Sequence, residues 1–126
     1  MADKTQSSRP IDAYKAIIDQ LVNETSHGLS EMLISQEGIF SRAPTEKKFN
    51  AFVQSLSVDD RNTLAKMLHI ERTAAIHDVL AVLSWWVQAR GLSFMFRGES
   101  VPVDLSGMGL NGDYIGRQQG WEWPDV

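Results

Sequence analysis

The 126-residue chain contains no cysteine. Disulfides, thiolate zinc sites, iron–sulfur clusters and cysteine nucleophiles are thereby excluded, and a reducing compartment suits such a chain. Long apolar runs are missing too. The longest, Val79 to Val87, is broken by Ser84 and is far too short to span a bilayer. The first apolar cluster, Ala16-Ile17-Ile18, is flanked by Lys15 and Asp19 and does not read as the core of a signal peptide. The Asn23-Glu24-Thr25 sequon is accordingly expected to stay unglycosylated. Basic charge is also in short supply: 12 Lys and Arg face 16 Asp and Glu, for a net charge of -4. Phosphate contact needs clustered cations, so neither a nucleic-acid partner nor a membrane partner is expected. The imbalance is concentrated in residues 91–126, which carry two basic and five acidic side chains.

What is present is ordinary for a soluble domain: 43% hydrophobic and 22% charged residues, with four tryptophans. The length fits one globular domain over 10–126, preceded by a flexible arm at 1–9 that lacks any apolar pattern. The expected class is mainly α: a bundle of four to five helices over 10–90, a small β-hairpin over 91–104, and a loop, short helix and tryptophan-containing tail over 105–126. Ile11, Tyr14, Ile17, Ile18 and Leu21 follow three-and-four spacing from Pro10, marking an amphipathic helix that closes near Gly28. A weaker helix through Leu29, Met32 and Leu33 ends at Gly38. Ser41-Arg42-Ala43-Pro44 is a connector. Thr45 and Glu46 then offer a cap and first-turn acid to a helix carrying Phe49, Phe52, Val53 and Leu56.

From Ser57, placed three residues before Asp60 as in a capping box, nothing breaks the chain until Gly91. The apolar face changes phase along the way. Leu64 and Leu68 lead to Arg72, whereas Ile76, Val79, Leu80, Leu83 and Val87 form a new stripe, so a bend or break is expected near His69 to Thr73. One of Trp85 and Trp86 belongs in the core, since adjacent residues diverge by about 100° on a helix. Beyond Gly91 the period falls to two: Leu92, Phe94 and Phe96 alternate with polar or flexible residues, Gly98-Glu99 turns, and Val101 and Val103 return. Asn111 is expected to cap a helix from Gly112 to Gln119.

Most chemical motifs can be struck off. Gly107-Met108-Gly109-Leu110-Asn111-Gly112 spells G-x-G-x-x-G, yet only fourteen residues follow it, too few for the crossover and second strand of a dinucleotide fold. Asp113 would also hold the helix end that a pyrophosphate needs. His27, His69 and His77 lack helical chelation spacing; the neighbours of His77 at three and four residues are Thr73, Ala74, Leu80 and Ala81. Neither metal nor cofactor is expected. No serine-nucleophile motif, P-loop, H-E-x-x-H or EF-hand loop occurs.

Two groups remain as candidates for ligand or partner binding. Glu71 and Arg72 at the phase break, with His77 and Asp78 one to two turns on, make either structural ion pairs or a polar pocket. Asp113 and Arg117 are spaced as an i, i+4 pair, and with Tyr114, Trp121 and Trp123 they line a recess, make a protein contact or latch the tail. Glu71-Arg72, His77-Asp78-Val79-Leu80, Asp113-Tyr114-Ile115-Gly116-Arg117 and Trp123-Pro124 together resemble a family of small uncharacterised bacterial proteins, over the second half of the chain. That resemblance implies a compact bacterial cytoplasmic protein and lends no catalytic residue. The first functional expectation is a non-enzymatic binding or regulatory domain acting through a protein partner or as a homodimer. The competing one is a small enzyme or ligand binder with a pocket at Glu71, Arg72, His77 and Asp78.

Overall fold

A computed structural model describes residues 9–125. The protein is mainly α, in the order α1 (Pro10–Ser26), α2 (Leu29–Met32), a π-helical turn (Leu33–Glu37), a 3-10 turn (Pro44–Glu46), α3 (Lys47–Gln54), α4 (Val58–Arg90), β1 (Met95–Phe96), β2 (Glu99–Ser100) and α5 (Gly109–Gln118). The packing divides the described chain into two compact units. One comprises the residues up to Asn23 together with those from Ala75 onward, and the other comprises Glu24–Ala74. The arm expected over 1–9 lies outside the described residues except for Arg9, whose guanidinium pairs with Asp12 at 2.7 Å just ahead of α1.

In the first unit Tyr14 and Ile18 of α1, Leu80 of α4, and Leu110 and Tyr114 of α5 form the buried core, with Ile76, Leu83 and Val87 packed against it. Ile17, expected on the same stripe, instead stays 58% exposed. The hairpin is shorter than the pattern suggests. Only Met95–Phe96 and Glu99–Ser100 pair, antiparallel, and the turn between them places both Arg97 and Gly98 at positive φ, 51° and 81°, as a two-residue primed turn requires. Phe94, Val101 and Val103 nevertheless fold back onto the core.

In the second unit Ile34, Val53 and Ala65 are buried, with Phe40, Leu64 and Leu68 around them. The π-helical turn stops at Gly38, whose φ of 69° and close approach to the Arg61 guanidinium both disfavour a side chain.

The break allowed for near His69 to Thr73 does not occur: α4 is helical throughout its 33 residues. Ser57 caps it, its hydroxyl accepting the Asp60 N–H at 3.1 Å, and Gly91 at φ 70° follows its end. The change of apolar phase has another cause. Leu64, Ala65 and Leu68 pack in the core of the second unit and Ile76, Leu80, Leu83 and Val87 in that of the first, so the phase changes where the helix passes from one core to the other. Val79 is not part of that face, being 62% exposed, and Trp85 and Trp86 are both about half exposed at 51% and 47%. Neither tryptophan occupies the core.

Helix α5 begins at Gly109, three residues before the expected start, with Asn111 inside it. Its first N–H groups are satisfied from elsewhere in the chain: Asp104 accepts from Gly109 at 2.6 Å and the Ser84 hydroxyl accepts from Leu110 at 2.7 Å.

Candidate functional site

Asp113 is fully buried, and its carboxylate is satisfied by three donors. The Tyr14 hydroxyl donates to it at 2.5 Å, and the N–H groups of Leu105 and Ser106 at 2.8 Å each. Burial, and then the hydrogen bond to this carboxylate, raise the Tyr14 phenol above the ordinary tyrosine range. The same hydroxyl accepts the N–H of Asp104 at 3.3 Å, a residue held at φ 60°. Asp113 therefore fixes the loop that leads into its own helix. With every neighbour a fixed donor and no exposure to solvent, it is a structural centre rather than a site for a ligand.

The i, i+4 pairing expected of Asp113 and Arg117 does not form. Arg117 reaches α1 instead, its Nε donating to Asp19 at 2.7 Å and its Nη1 to the Trp121 carbonyl at 2.6 Å. The Trp123 indole N–H donates to the same Asp19 at 3.0 Å. Its ring lies edge-on to Tyr14 at 6.0 Å and to Trp121 at 5.2 Å, under the Arg117 guanidinium at 5.2 Å. Gly120, at φ 87°, supplies the reversal, and Trp121 donates its N–H to the Gly116 carbonyl at 2.8 Å. Tyr114 is fully buried. Of the five C-terminal candidates, Tyr114 and Asp113 hold the core, while Arg117, Trp121 and Trp123 latch the tail.

The four candidates on α4 are not gathered around one ligand. Arg72 belongs to the second unit and pairs with Glu31 at 3.0 Å, while Glu71 is exposed. In the first unit His77 and Asp78, expected to diverge, meet at 3.2 Å through Nδ1. The other ring nitrogen faces the Asn111 amide at 3.2 Å, and Asn111 in turn accepts from Ser84 at 3.2 Å. In the tautomer protonated on Nδ1 this is a continuous chain from Asp78 to the N-terminus of α5. Because Asn111 occupies Nε2, His77 lacks the free nitrogen that a general base presents to a substrate.

Three features escaped the sequence reading. A cleft of about 680 Å³ in the second unit is lined by His27, Glu31, Lys66 and His69 together with Ser35 and Ile70. An apolar groove of about 270 Å³ in the first unit is lined by Ile17, Phe94, Met95, Phe96 and Val101, with Tyr14 below. The third feature is the outward face of α4, where Val79, Val82, Trp85 and Trp86 stand exposed in sequence, with Arg90 within 6.0 Å of both indoles. None of Glu71, Arg72, His77 or Asp78 lines these two cavities. Among the described residues no group of three or more His, Asp or Glu is placed to hold a metal ion, and no helix is long and apolar enough to cross a membrane.

These observations define a mainly α protein in which most of the singled-out ionisable side chains tie the chain to itself, while two of its four tryptophans stand exposed on one helix. The chain belongs to a family of unknown function, DUF6547, whose model matches residues 7–125. The match extends over nearly the whole chain and not only its second half. Neither a curated protein nor a solved structure matches it.

Proposed function

We propose that this chain is a non-enzymatic protein-binding or regulatory domain of a bacterial cytoplasmic protein, and that its contact surface is the outward face of α4. One observation carries the reading: Val79, Val82, Trp85 and Trp86 are 62%, 59%, 51% and 47% exposed on a single helix. Contiguous apolar surface of this kind marks an interaction site in a soluble protein, and tryptophan is the residue most enriched where binding energy concentrates. The absence of cysteine suits a reducing compartment. The test is affinity capture of the natural partner, including untagged copies of the chain, followed by calorimetry with the purified partner. The wild type is expected to bind and Val82→Glu to lose binding by more than about 100-fold, the effect of some 3 kcal/mol at an interface centre. Equal binding by both proteins, at equal thermal stability, refutes the assignment of this face.

The small-ligand reading finds its support in the second unit. Glu31 is matched by Arg72 at 3.0 Å, and Lys66 and His69 are cationic or cation-forming groups that line the 680 Å³ cleft and suit an anion. Citrate and inorganic phosphate are the probes. Chemical-shift changes at His69 that leave His77 unmoved support that reading, and their absence at millimolar ligand removes it.

A further inference from the structure

The cleft of the second unit has a volume of about 680 Å³, several times the roughly 150 Å³ that encloses a benzene ring and within the range of small-molecule sites. One wall is α4, where Lys66 and His69 stand three residues apart and so share a face, with about 5–6 Å between their Cβ atoms. Among the described residues neither side chain has a hydrogen-bond or ion-pair partner, and the Gln36 amide on the same cleft has none either. Glu31 is the one carboxylate among the described lining residues, and Arg72 already engages it at 3.0 Å. In a protein of net charge -4, this cleft therefore keeps an unanswered positive charge. Ser35 and Gln36 reach it from the π-helical turn Leu33–Glu37, a distortion that recurs at functional sites because it turns side chains out of the regular helical register.

Charge is only half of the lining. Met32 and Ile70 are 39% and 63% exposed and both border the cleft, so large apolar side chains stand wet beside the cations. Ile70 follows Lys66 by four positions and lies on the same strip of α4. An all-polar anion leaves this apolar surface in water, whereas a ligand with an apolar body removes it. The count of charges limits the head group. Lys66 is the one permanent cation left unmatched, and the Glu31 carboxylate repels a second negative charge, so a monoanion fits better than a phosphate dianion. Resting on the small-ligand reading of this cleft, we infer that its occupant is a small monocarboxylic acid with an apolar body, about the size of a phenyl ring on a short chain. Lys66 and His69 take the carboxylate, and Ile70 and Met32 take the body.

Four probes separate the parts of this inference: 4-phenylbutyrate, 4-phenylbutan-1-ol with the same body and no charge, acetate with the charge and no body, and inorganic phosphate. Calorimetry on the full chain at neutral pH is expected to give a Kd below about 1 mM for 4-phenylbutyrate, at least about ten-fold tighter than for the other three. Its binding should shift the His69 ring and Met32 methyl resonances and leave His77 unmoved. Lys66→Glu and Ile70→Asp, both at exposed positions, should each weaken it by at least about ten-fold at unchanged Tm. Acetate or phosphate binding as tightly as 4-phenylbutyrate, with the same His69 shift, overturns the apolar body and leaves the anion reading standing. The alcohol binding as tightly as the acid overturns the carboxylate. Shifts at Met95 in place of Met32 put the ligand in the apolar groove of the first unit and overturn the site. No saturable binding of any probe up to about 5 mM, a level at which even weak specific sites fill, overturns the inference together with the small-ligand reading.

Discussion

Tyr14 donates its hydroxyl hydrogen to Asp113 at 2.5 Å, joining the first helix to the last across 99 positions of sequence. The bond closes the first unit from its two ends, and the two backbone N–H groups of Leu105 and Ser106 share the same carboxylate. Replacing Asp113 by alanine leaves three donors without their acceptor, the buried Tyr14 hydroxyl and the part-buried N–H groups of Leu105 and Ser106, each costing about 1–3 kcal/mol where water cannot replace the carboxylate. Asp113→Ala should therefore lose about 3 kcal/mol or more, a fall in Tm of about 10 °C or more for a domain of this size. Tyr14→Phe, which keeps the ring and the loop contacts, should lose about 1–2 kcal/mol. Urea denaturation followed by circular dichroism checks both; equal losses would mean that the phenol, not the loop, is what Asp113 holds.

The raised Tyr14 phenol gives a pH dependence of defined sign. Below its ordinary value of 10.0 the folded and unfolded chains both keep the proton, and the stabilisation is fully present. As pH rises past that value the unfolded chain releases the proton and the folded chain does not. Stability then declines by about 1.4 kcal/mol per pH unit from this group alone. Unfolding free energies of the wild type and Tyr14→Phe, measured from neutral pH to above 10, should converge at the alkaline end. A constant difference would show that the phenol is not held protonated by its surroundings.

The tail should be separable from the fold by truncation. Trp123 touches Tyr14, Trp121, Arg117 and Asp19, and burying part of one such ring is worth on the order of 2 kcal/mol. Deleting residues 121–126 should lower Tm by several degrees, at about 3–6 °C per kcal/mol, without changing the assembly state. Arg117→Ala should produce a smaller loss, since a partly exposed ion pair contributes about 1 kcal/mol or less. Dissociation of the truncated protein with an unchanged Tm would instead assign the tryptophans to an interface.

Gly28 offers a test of the Glu31–Arg72 pair. A methyl group there would sit 1.6 Å from the Glu31 carboxylate and 2.8 Å from the Arg72 guanidinium, although the backbone φ of -63° suits alanine. Gly28→Ala should thus cost up to about 1 kcal/mol in the wild type and be neutral or stabilising in a Glu31→Ala background. Additive losses in the double variant would mean that the glycine serves the backbone and not the pair.

How far the sequence could be read depended on whether the cause was local. Ser57 and Gly91 mark the ends of α4 correctly because a cap and a positive φ are decided within a few residues. The unbroken middle of α4 was not legible, because its change of apolar phase reflects two different cores and neither is written in the helix itself. The start of α5 was misplaced for a related reason: the acceptor for its second N–H is Ser84, 26 residues earlier, and the acceptor for its first is Asp104, five residues ahead of the helix and outside the usual cap position. Asp113 and Arg117 have the spacing of a helical pair, yet Tyr14 and Asp19 offer each a partner on the facing helix. The exposed face of α4 was missed because Val79, 62% exposed, had been assigned to the inward stripe.

Hydroxyl-radical footprinting tests the contact face most directly, because tryptophan and methionine side chains both report it at residue level. Modification of Trp85 and Trp86 should fall several-fold when the protein's partner is added, while Met67 and Met108, 57% and 76% exposed and not part of the proposed face, should react as before. Unchanged Trp85 and Trp86 alongside protection of Met67 or Met108 would contradict the assignment of the outward face of α4.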